Sequence, residues 1–361
     1  MPKVSIVIPN YNHARFLRRR IESVLRQTYQ DIEVILLDDC SADESQSILL
    51  EYADDPRVRI EFNAVNSGRT SKQWNKGVRL ARGEYVWIAE SDDYADEQLL
   101  EKLVSILDAE PDMVLAYCRS WIVLANGEIS GPMEVRHPGL DAKRWTTDFQ
   151  ADGREECQNY LIRCPTIPNA SAVVFRKEAY MRVGGADENL VLCGDWKLWS
   201  AMALTGRIAY LGEPLNYYQS HDKNVRERIH RLGLGPAEHL EMVRWFLEIL
   251  TPSEAVRRML SEDAFSLWAA AVDVLAQREP EVALKVIDGF MGLSGPEFVK
   301  PSIRANTWLT VAGIHYRQGR PAKAMISASR AVLVRPVILG RPVMRALTHL
   351  AGAFKEWRQH S

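Results

Sequence analysis

Within the first hundred positions, three short groups of acidic and amide residues each close a run of apolar, mostly β-branched residues. Asn10 and Asn12 follow "VSIVIP", Asp38 and Asp39 follow "IEVILL", and Glu90, Asp92 and Asp93 follow "EYVWIA". Any one group could serve a turn or a helix cap, because short polar side chains bond nearby backbone. Three at the ends of successive strands point to a shared site, since ligands of open α/β sheets gather at the carboxyl ends of the strands. Carboxylates placed there without a matching set of His or Cys suit a hard divalent cation, Mg2+ or Mn2+, that keeps waters or phosphate oxygens in its shell. Such an ion neutralises charge developing on a diphosphate leaving group. The sequence contains no GxxxxGK[ST] and no GxGxxG after its first strand, so metal and side chains would have to hold a phosphate. Arg69 and Lys72, ahead of the fourth strand, are available for that role.

Hydrophobic spacing defines the elements that must carry these residues. "KVSIVIPNY" reads as a buried strand opening into a loop, and Phe16, Leu17, Ile21, Val24 and Leu25 lie at helical spacing within 13–27. A strand at 32–37, a helix over 43–53, a strand over 58–62, a helix through Trp74, Val78 and Leu80, and the strand "EYVWIAESDDY" follow. This alternation predicts a parallel α/β sheet with helices on both faces. Residues 111–225 mix short strands ("DMVLAYCRSWIVL", "SAVVFR", "RIAYLG", "LNYYQSH") with the helical "DWKLWSAMALTG" and extend the same domain. From about residue 231 the pattern turns helical. There Ala312, Tyr316, Gly319, Ala324, Ala331 and Pro336 have the spacing of one tetratricopeptide hairpin, although a solenoid needs about three such repeats.

Taken together, "VSIVIPNYN", "DDCSAD", "NSGRTSKQWNKGVRLARGEYVWIAESDDY", "GDWKLW" and "LNYYQSH" resemble an inverting family 2 glycosyltransferase of the GT-A fold over about residues 1–225. The resemblance implies an open mixed sheet, mostly parallel and flanked by helices, as domain 1–228, followed here by an all-α domain, 229–361. It places Pro9, Tyr11, Asn12 and Asp39 at the donor nucleotide. A carboxylate at Asp39 could accept a ring N–H from uracil, thymine or guanine, and a UDP-sugar is the first choice. The family's metal motif is Asp-x-Asp; here Glu90 takes the first position, keeping the charge on a longer side chain. Asp92 becomes the principal metal contact with Asp93 beside it, and Glu90 lies nearer the ribose or donor. His221 matches a position where members supply a His to the metal or the diphosphate. A Glu-Asp pair before a Trp often carries the general base; here the segment reads Gly194-Asp195-Trp196, so the first acid is missing and Asp195 is the aligned base. Asp195 also suits a helix N-cap. Trp196 and Asn169 are assigned to the acceptor. The Gln-x-x-Arg-Trp motif of membrane-embedded synthases is incomplete, because Glu241 precedes Arg244 and Trp245.

The implied reaction is the metal-dependent transfer of one sugar, with inversion, from a nucleotide-diphosphate sugar to a hydroxyl of a glycan or lipid-linked glycan, in surface polysaccharide synthesis. The alternatives are a non-catalytic nucleotide-sugar-binding scaffold whose helical domain recruits partners, and a nucleotidyltransferase. The last is disfavoured because no Gly-rich basic loop follows the first strand.

At 361 residues, with 47% hydrophobic and 25% charged, the composition is that of a globular protein of two domains. No run reaches the ~18 apolar residues of a membrane span, and Asn10 comes too early for a signal peptide. Five scattered cysteines without a CxxC pair suggest a reducing cytosol. The net charge of -2 conceals a polarity: residues 300–361 carry eleven Lys or Arg against the single acid Glu356, leaving about -12 on the rest. Within this tail Val343, Leu347, Leu350, Phe354 and Trp357 form a helical stripe, with Arg345, Lys355 and Arg358 outside it. Such a helix covers the end of a domain or lies on an anionic leaflet. A cytoplasmic protein is therefore expected, with peripheral attachment to the inner membrane face or to a protein partner. No nucleic-acid-recognition motif accompanies the basic residues.

Overall fold

A computed structural model describes residues 1–221 except 136, 138 and 139, residues 235–260 except 258, residues 280, 281, 283, 284, 287 and 288, and residues 301–334. The chain divides into two compact units, Met1–Arg228 and Ile229–Ser361.

The first unit is built on one sheet of ten strands: β1 (Val4–Asn10), β2 (Ile32–Asp38), β3 (Val58–Phe62), β4 (Tyr85–Ile88), β5 (Tyr94–Ala95), β6 (Met113–Val123), β7 (Ile129–Pro132), β8 (Phe149–Asp152), β9 (Val173–Arg176) and β10 (Arg207–Gln219). The order is β3-β2-β1-β4-β9-β6-β10-β5, with β7 on β6 and β8 on β10. The longer ladders, β1 with β2 and β4, β2 with β3, and β6 with β10, are parallel; β9 runs antiparallel between β4 and β6. This is the open, mostly parallel sheet the sequence predicts.

Successive side chains of a strand point to opposite faces, and both faces here are covered. Val4, Ile6 and Ile8 of β1 join a core with Leu17, Ile21 and Val24 of α1 (Ala14–Leu25), Ile48 and Leu49 of α2 (Ser45–Leu50), and Leu99, Leu103 and Leu107 of α4 (Leu99–Ala109). Val7 faces the other way, toward α3 (Thr70–Leu80), so closely that a Cβ on Gly77 would stand 2.2 Å from Val7 Cγ1. On that face Phe175 packs against Tyr180 of α6 (Lys177–Arg182) and Trp199 of α7 (Gly194–Ala203). Of the remaining short helices in this unit, α5 spans Gly153–Glu156.

Register brings the polar strand ends together. Asn10 pairs with Asp38 and Val7 with Ile88, so β1, β2 and β4 finish along one edge. Beyond β4 the chain turns back tightly, with Asp93 N donating to Glu90 O at 3.2 Å. β5 then pairs with the end of β10 through Tyr94 and Tyr217, which carries Gln219 and His221 to the same edge. The segments "RIAYLG" and "LNYYQSH", expected as separate strands, form the single β10. Its register shifts around Pro214, which lacks an N–H for the ladder and is accommodated at an irregularity.

In the second unit α8 (Gly235–Ile249) buries Val243 and Phe246, while α9 (Pro301–Arg317) and α10 (Pro321–Val334) form a hairpin. Gly319 turns between them at φ 68°, where a side chain would be strained, and Ala312, Ala324, Ala328 and Ala331 are buried. The tetratricopeptide likeness rests on the sequence pattern alone; its Pro336 and the whole basic stripe of 341–358 lie outside the described residues. Among the described residues no helix is long and apolar enough to cross a membrane.

Candidate active site

The turns after β1 and β2 brace each other. Asn10 Nδ2 donates to Asp38 Oδ1 at 2.9 Å and to Ser41 Oγ at 3.2 Å; Asn12 N donates to Ser41 Oγ, and Asn12 Oδ1 accepts from Ala42 N. Asn12 and Cys40 both take left-handed φ values, 56° and 62°, which sharpen the two turns. Asp38 Oδ2 also accepts from Ser41 N and Gln46 Nε2. Of the residues expected at the donor, Pro9 is packed inside β1 beside Leu37, and the Asn12 carbonyl oxygen is engaged by the neighbouring turn. Both therefore position Tyr11, which stands 48% exposed at the tip.

Asp39 is buried, and its oxygens are in demand. Oδ1 accepts from Asn63 Nδ2 (2.6 Å), Ser67 N (2.9 Å) and Gln73 Nε2 (2.8 Å), and Oδ2 accepts from Ser67 Oγ (2.7 Å). It thereby anchors the loop that carries Arg69 and Lys72. Those two are exposed and, among the described residues, reach only loop carbonyls, Gly68 O and Ser67 O, at 3.4 Å.

The acidic turn behaves differently. Glu90 Oε1 accepts from Trp74 Nε1 at 2.6 Å, and Trp74 stacks on Trp199 with ring centroids 6.3 Å apart. Burial, then the charge of Asp92, pushes the Glu90 carboxyl up to about 8. Beneath the turn lies Arg20, fully buried on α1, which donates from Nε to Glu90 O at 2.8 Å and lies over the Trp87 ring at 5.3 Å. Burial pulls its guanidinium down to about 10 against the opposing attraction of Asp93, Asp92 and Glu90. Arg20 is the internal counter-charge of the turn. Its sequence signal was its place on the buried helical stripe with Leu17, Ile21 and Val24.

Asp93 was expected to touch the metal, and the structure turns it inward instead. Its oxygens accept from Gln219 N (3.0 Å) and Asn169 Nδ2 (3.3 Å), tying the turn to β10. Burial and then Asp92 raise its carboxyl above the usual range. Asn169, expected at the acceptor, is spent on this bond and is itself buried. Trp196, also expected at the acceptor, is a core residue 2% exposed whose indole N–H donates to Leu161 O at 2.8 Å. Cys193 is the N-cap and Asp195 sits inside the first turn of α7, where its Oδ1 accepts from Trp196 N at 2.7 Å. An acid in that turn complements the helix dipole. Trp199, one turn on, joins its helix to Glu90 through Trp74.

In the cluster that forms, His13 replaces Asp93. One ligand atom from each of His13, Asp92 and His221 lies within 4.8 Å of the others. His13 precedes α1, its Nδ1 lies 2.8 Å from Ser91 Oγ, and its ring meets that of His221 edge-on at 5.7 Å. His221 Nε2 is 3.0 Å from Asp92 Oδ2, and Phe16 packs on its ring at 5.0 Å. Burial lowers the His13 pKa, which keeps its imidazole neutral at pH 7 with a lone pair available. Burial works to raise the Asp92 carboxyl, but the His221 contact and the potential of His13 outweigh it and hold Asp92 low. His221 Nδ1 is buried without a hydrogen-bond partner. His221 Nε2 beside the Asp92 carboxylate, with a neutral imidazole at His13 in reach, is a donor set that fits a divalent cation. His13 carried no local motif, which is why the spacing of residues did not reveal it.

A mixed, mostly parallel α/β sheet that gathers an acidic turn, histidines and an exposed Tyr at the carboxyl ends of its strands has the architecture of a GT-A fold. Residues 5–168 match the model of glycosyl transferase family 2. The chain is 33% identical over 263 residues to an uncharacterized glycosyltransferase of Rickettsia typhi, covering 71% of this chain and 74% of that protein. It belongs to glycosyl transferase family 2. Among solved structures, residues 1–349 of Staphylococcus aureus TarS in complex with UDP-GlcNAc superpose with a TM-score of 0.62 at 18% identity, covering 91% of this chain and 90% of that one. The mannosyltransferase PcManGT of Pyrobaculum calidifontis, in complex with GDP-Man and Mn2+, gives 0.51 at 18% identity, covering 92% and 87%. Three other curated relatives are matched over less of their length, the chain spanning 66%, 38% and 13% of them.

Proposed function

We propose that the protein transfers one sugar, with inversion, from a UDP-sugar to a hydroxyl of a glycan or lipid-linked glycan acceptor, in surface polysaccharide synthesis. The observation that carries this reading is the convergence of the β1, β4 and β10 ends, where His13, Asp92 and His221 cluster beside Glu90. UDP is favoured because the TarS neighbour holds UDP-GlcNAc and because Asp39 Oδ2, which among the described residues receives only the Ser67 hydroxyl, retains room for a ring N–H.

Tyr11 offers its exposed ring to the base. Arg69 and Lys72 bring positive charge to the diphosphate. Asp92 and His221 would hold a divalent cation, which would supply further positive charge against the departing diphosphate. Asp195 takes the proton of the acceptor hydroxyl as that oxygen bonds the anomeric carbon from the side opposite the diphosphate. The bond from the anomeric carbon to the diphosphate oxygen breaks, the nucleoside diphosphate leaves with that electron pair, and the anomeric configuration inverts. The second unit contacts acceptor, protein partner or membrane, and the protein works in the cytoplasm at the inner membrane face.

Asp195→Asn should lower transfer by about 10²–10⁴-fold while leaving UDP-sugar binding intact in calorimetry; unchanged turnover would remove Asp195 as the base. Removing residues 338–361 should reduce cosedimentation with anionic vesicles without altering donor affinity. Intact protein that ignores such vesicles would end the membrane assignment.

A further inference from the structure

We infer that His13 is a third protein ligand to the cation, so that two imidazoles and one carboxylate bind Mn2+ or Co2+ before any nucleotide arrives and discriminate against Mg2+. The inference rests on the metal-dependent reading above and extends it to the choice of ion and the order of binding.

Most of the nearby carboxylate oxygens that Mg2+ would need are committed elsewhere. Asp93 is spent on Gln219 and Asn169, and Glu90 holds the Trp74 indole. Asp92 is the one carboxylate in the cluster. Mg2+ demands near-octahedral oxygen coordination and sheds water reluctantly, whereas imidazole favours transition ions, with affinity rising from Mn2+ through Co2+.

His13 is built to serve as a ligand. Ser91 Oγ holds its Nδ1 at 2.8 Å, which orients the ring and leaves Nε2 for an ion, and Ser91 is the direct neighbour of Asp92. Partners of this kind fix the tautomer and aim of metal-binding histidines. Phe16 packs on His221, so the second imidazole is also fixed in place. The three groups come from the β1–α1 loop, the turn after β4 and the end of β10, and all three are protein side chains, so the set does not depend on a nucleotide oxygen. Three protein ligands would leave a bound ion positions for phosphate oxygens.

The test uses the full chain without nucleotide. Co2+ titration followed by its visible d–d bands, and Mn2+ titration followed by EPR, should each show one site with nitrogen ligands. A hundredfold excess of Mg2+ over Mn2+ should fail to displace the Mn2+. His13→Gln, folded by near-UV circular dichroism, should weaken Mn2+ binding at least tenfold. Ser91→Ala should weaken it less, and it serves as the test if His13→Gln does not fold. Wild-type Mn2+ affinity in a folded His13→Gln protein, or displacement by equimolar Mg2+, overturns the inference. If such a protein still loses transfer in EDTA, the metal-dependent reading stands while the His13 assignment falls. If neither Mn2+ nor Co2+ binds and transfer persists in EDTA, both fall.

Discussion

Two strand ends carry adjacent aspartates, Asp38-Asp39 after β2 and Asp92-Asp93 after β4, and the fold treats them in opposite ways. Asp38 and Asp39 are supplied with amide, hydroxyl and backbone N–H donors from Asn10, Ser41, Gln46, Asn63, Ser67 and Gln73. Their charge goes mainly to holding loops, and what Asp39 Oδ2 has left suits an N–H donor and not a cation. The turn at Glu90–Asp93 crowds three acids over one buried cation, Arg20, and sends Asp92 toward two histidines. The supply of hydrogen bonds, and not the count of charges, decides which carboxylate remains open to a ligand.

The comparison can be broken by substitution and heat. Asp39→Ala strands the buried Gln73 and the Asn63 and Ser67 donors, so it should cost about 3 kcal/mol or more, a fall in Tm of roughly 6–12 °C by calorimetry. Asp92→Ala relieves Glu90 and Asp93 of a like charge and should leave the metal-free Tm near wild type. An equal loss in both would erase the distinction. Mn2+ at a hundredfold excess over its Kd should stabilise the wild type by about 2.7 kcal/mol and leave Asp92→Ala unmoved in a thermal shift. The smallest effect is expected of Trp74→Phe, which keeps the stack on Trp199 but removes the N–H that Glu90 accepts. It should cost about 1–2 kcal/mol in urea unfolding, and no loss would mean the indole bond does not hold the turn.

The sheet was legible because its signals are local: β-branched runs, polar stops and helical stripes mark β1 to β4 and α1 to α3 within a few residues of where they lie. The two stretches merged into β10 were not, because whether a strand survives a proline depends on a partner, here β6, that tolerates the irregularity. In the site, Asp92 and His221 stand 3.0 Å apart and Tyr11 is exposed, while the motifs also put Trp196 and Asn169 at the acceptor. A motif tells nothing of which way a side chain turns: Leu161 O draws one into the core and Asp93 draws the other inward.

The sequence by itself determined an α/β sheet whose strands end in acids along one edge, because strand periodicity and turn chemistry act over a few neighbouring residues. Only the tertiary structure decided that Asp93 braces β10, that Arg20 lies beneath the turn, and that His13 joins Asp92 and His221. Those outcomes depend on donors and charges brought together from far apart in the chain, 129 positions for Asp92 and His221 and more for His13 and His221, and on which of them burial leaves without another partner.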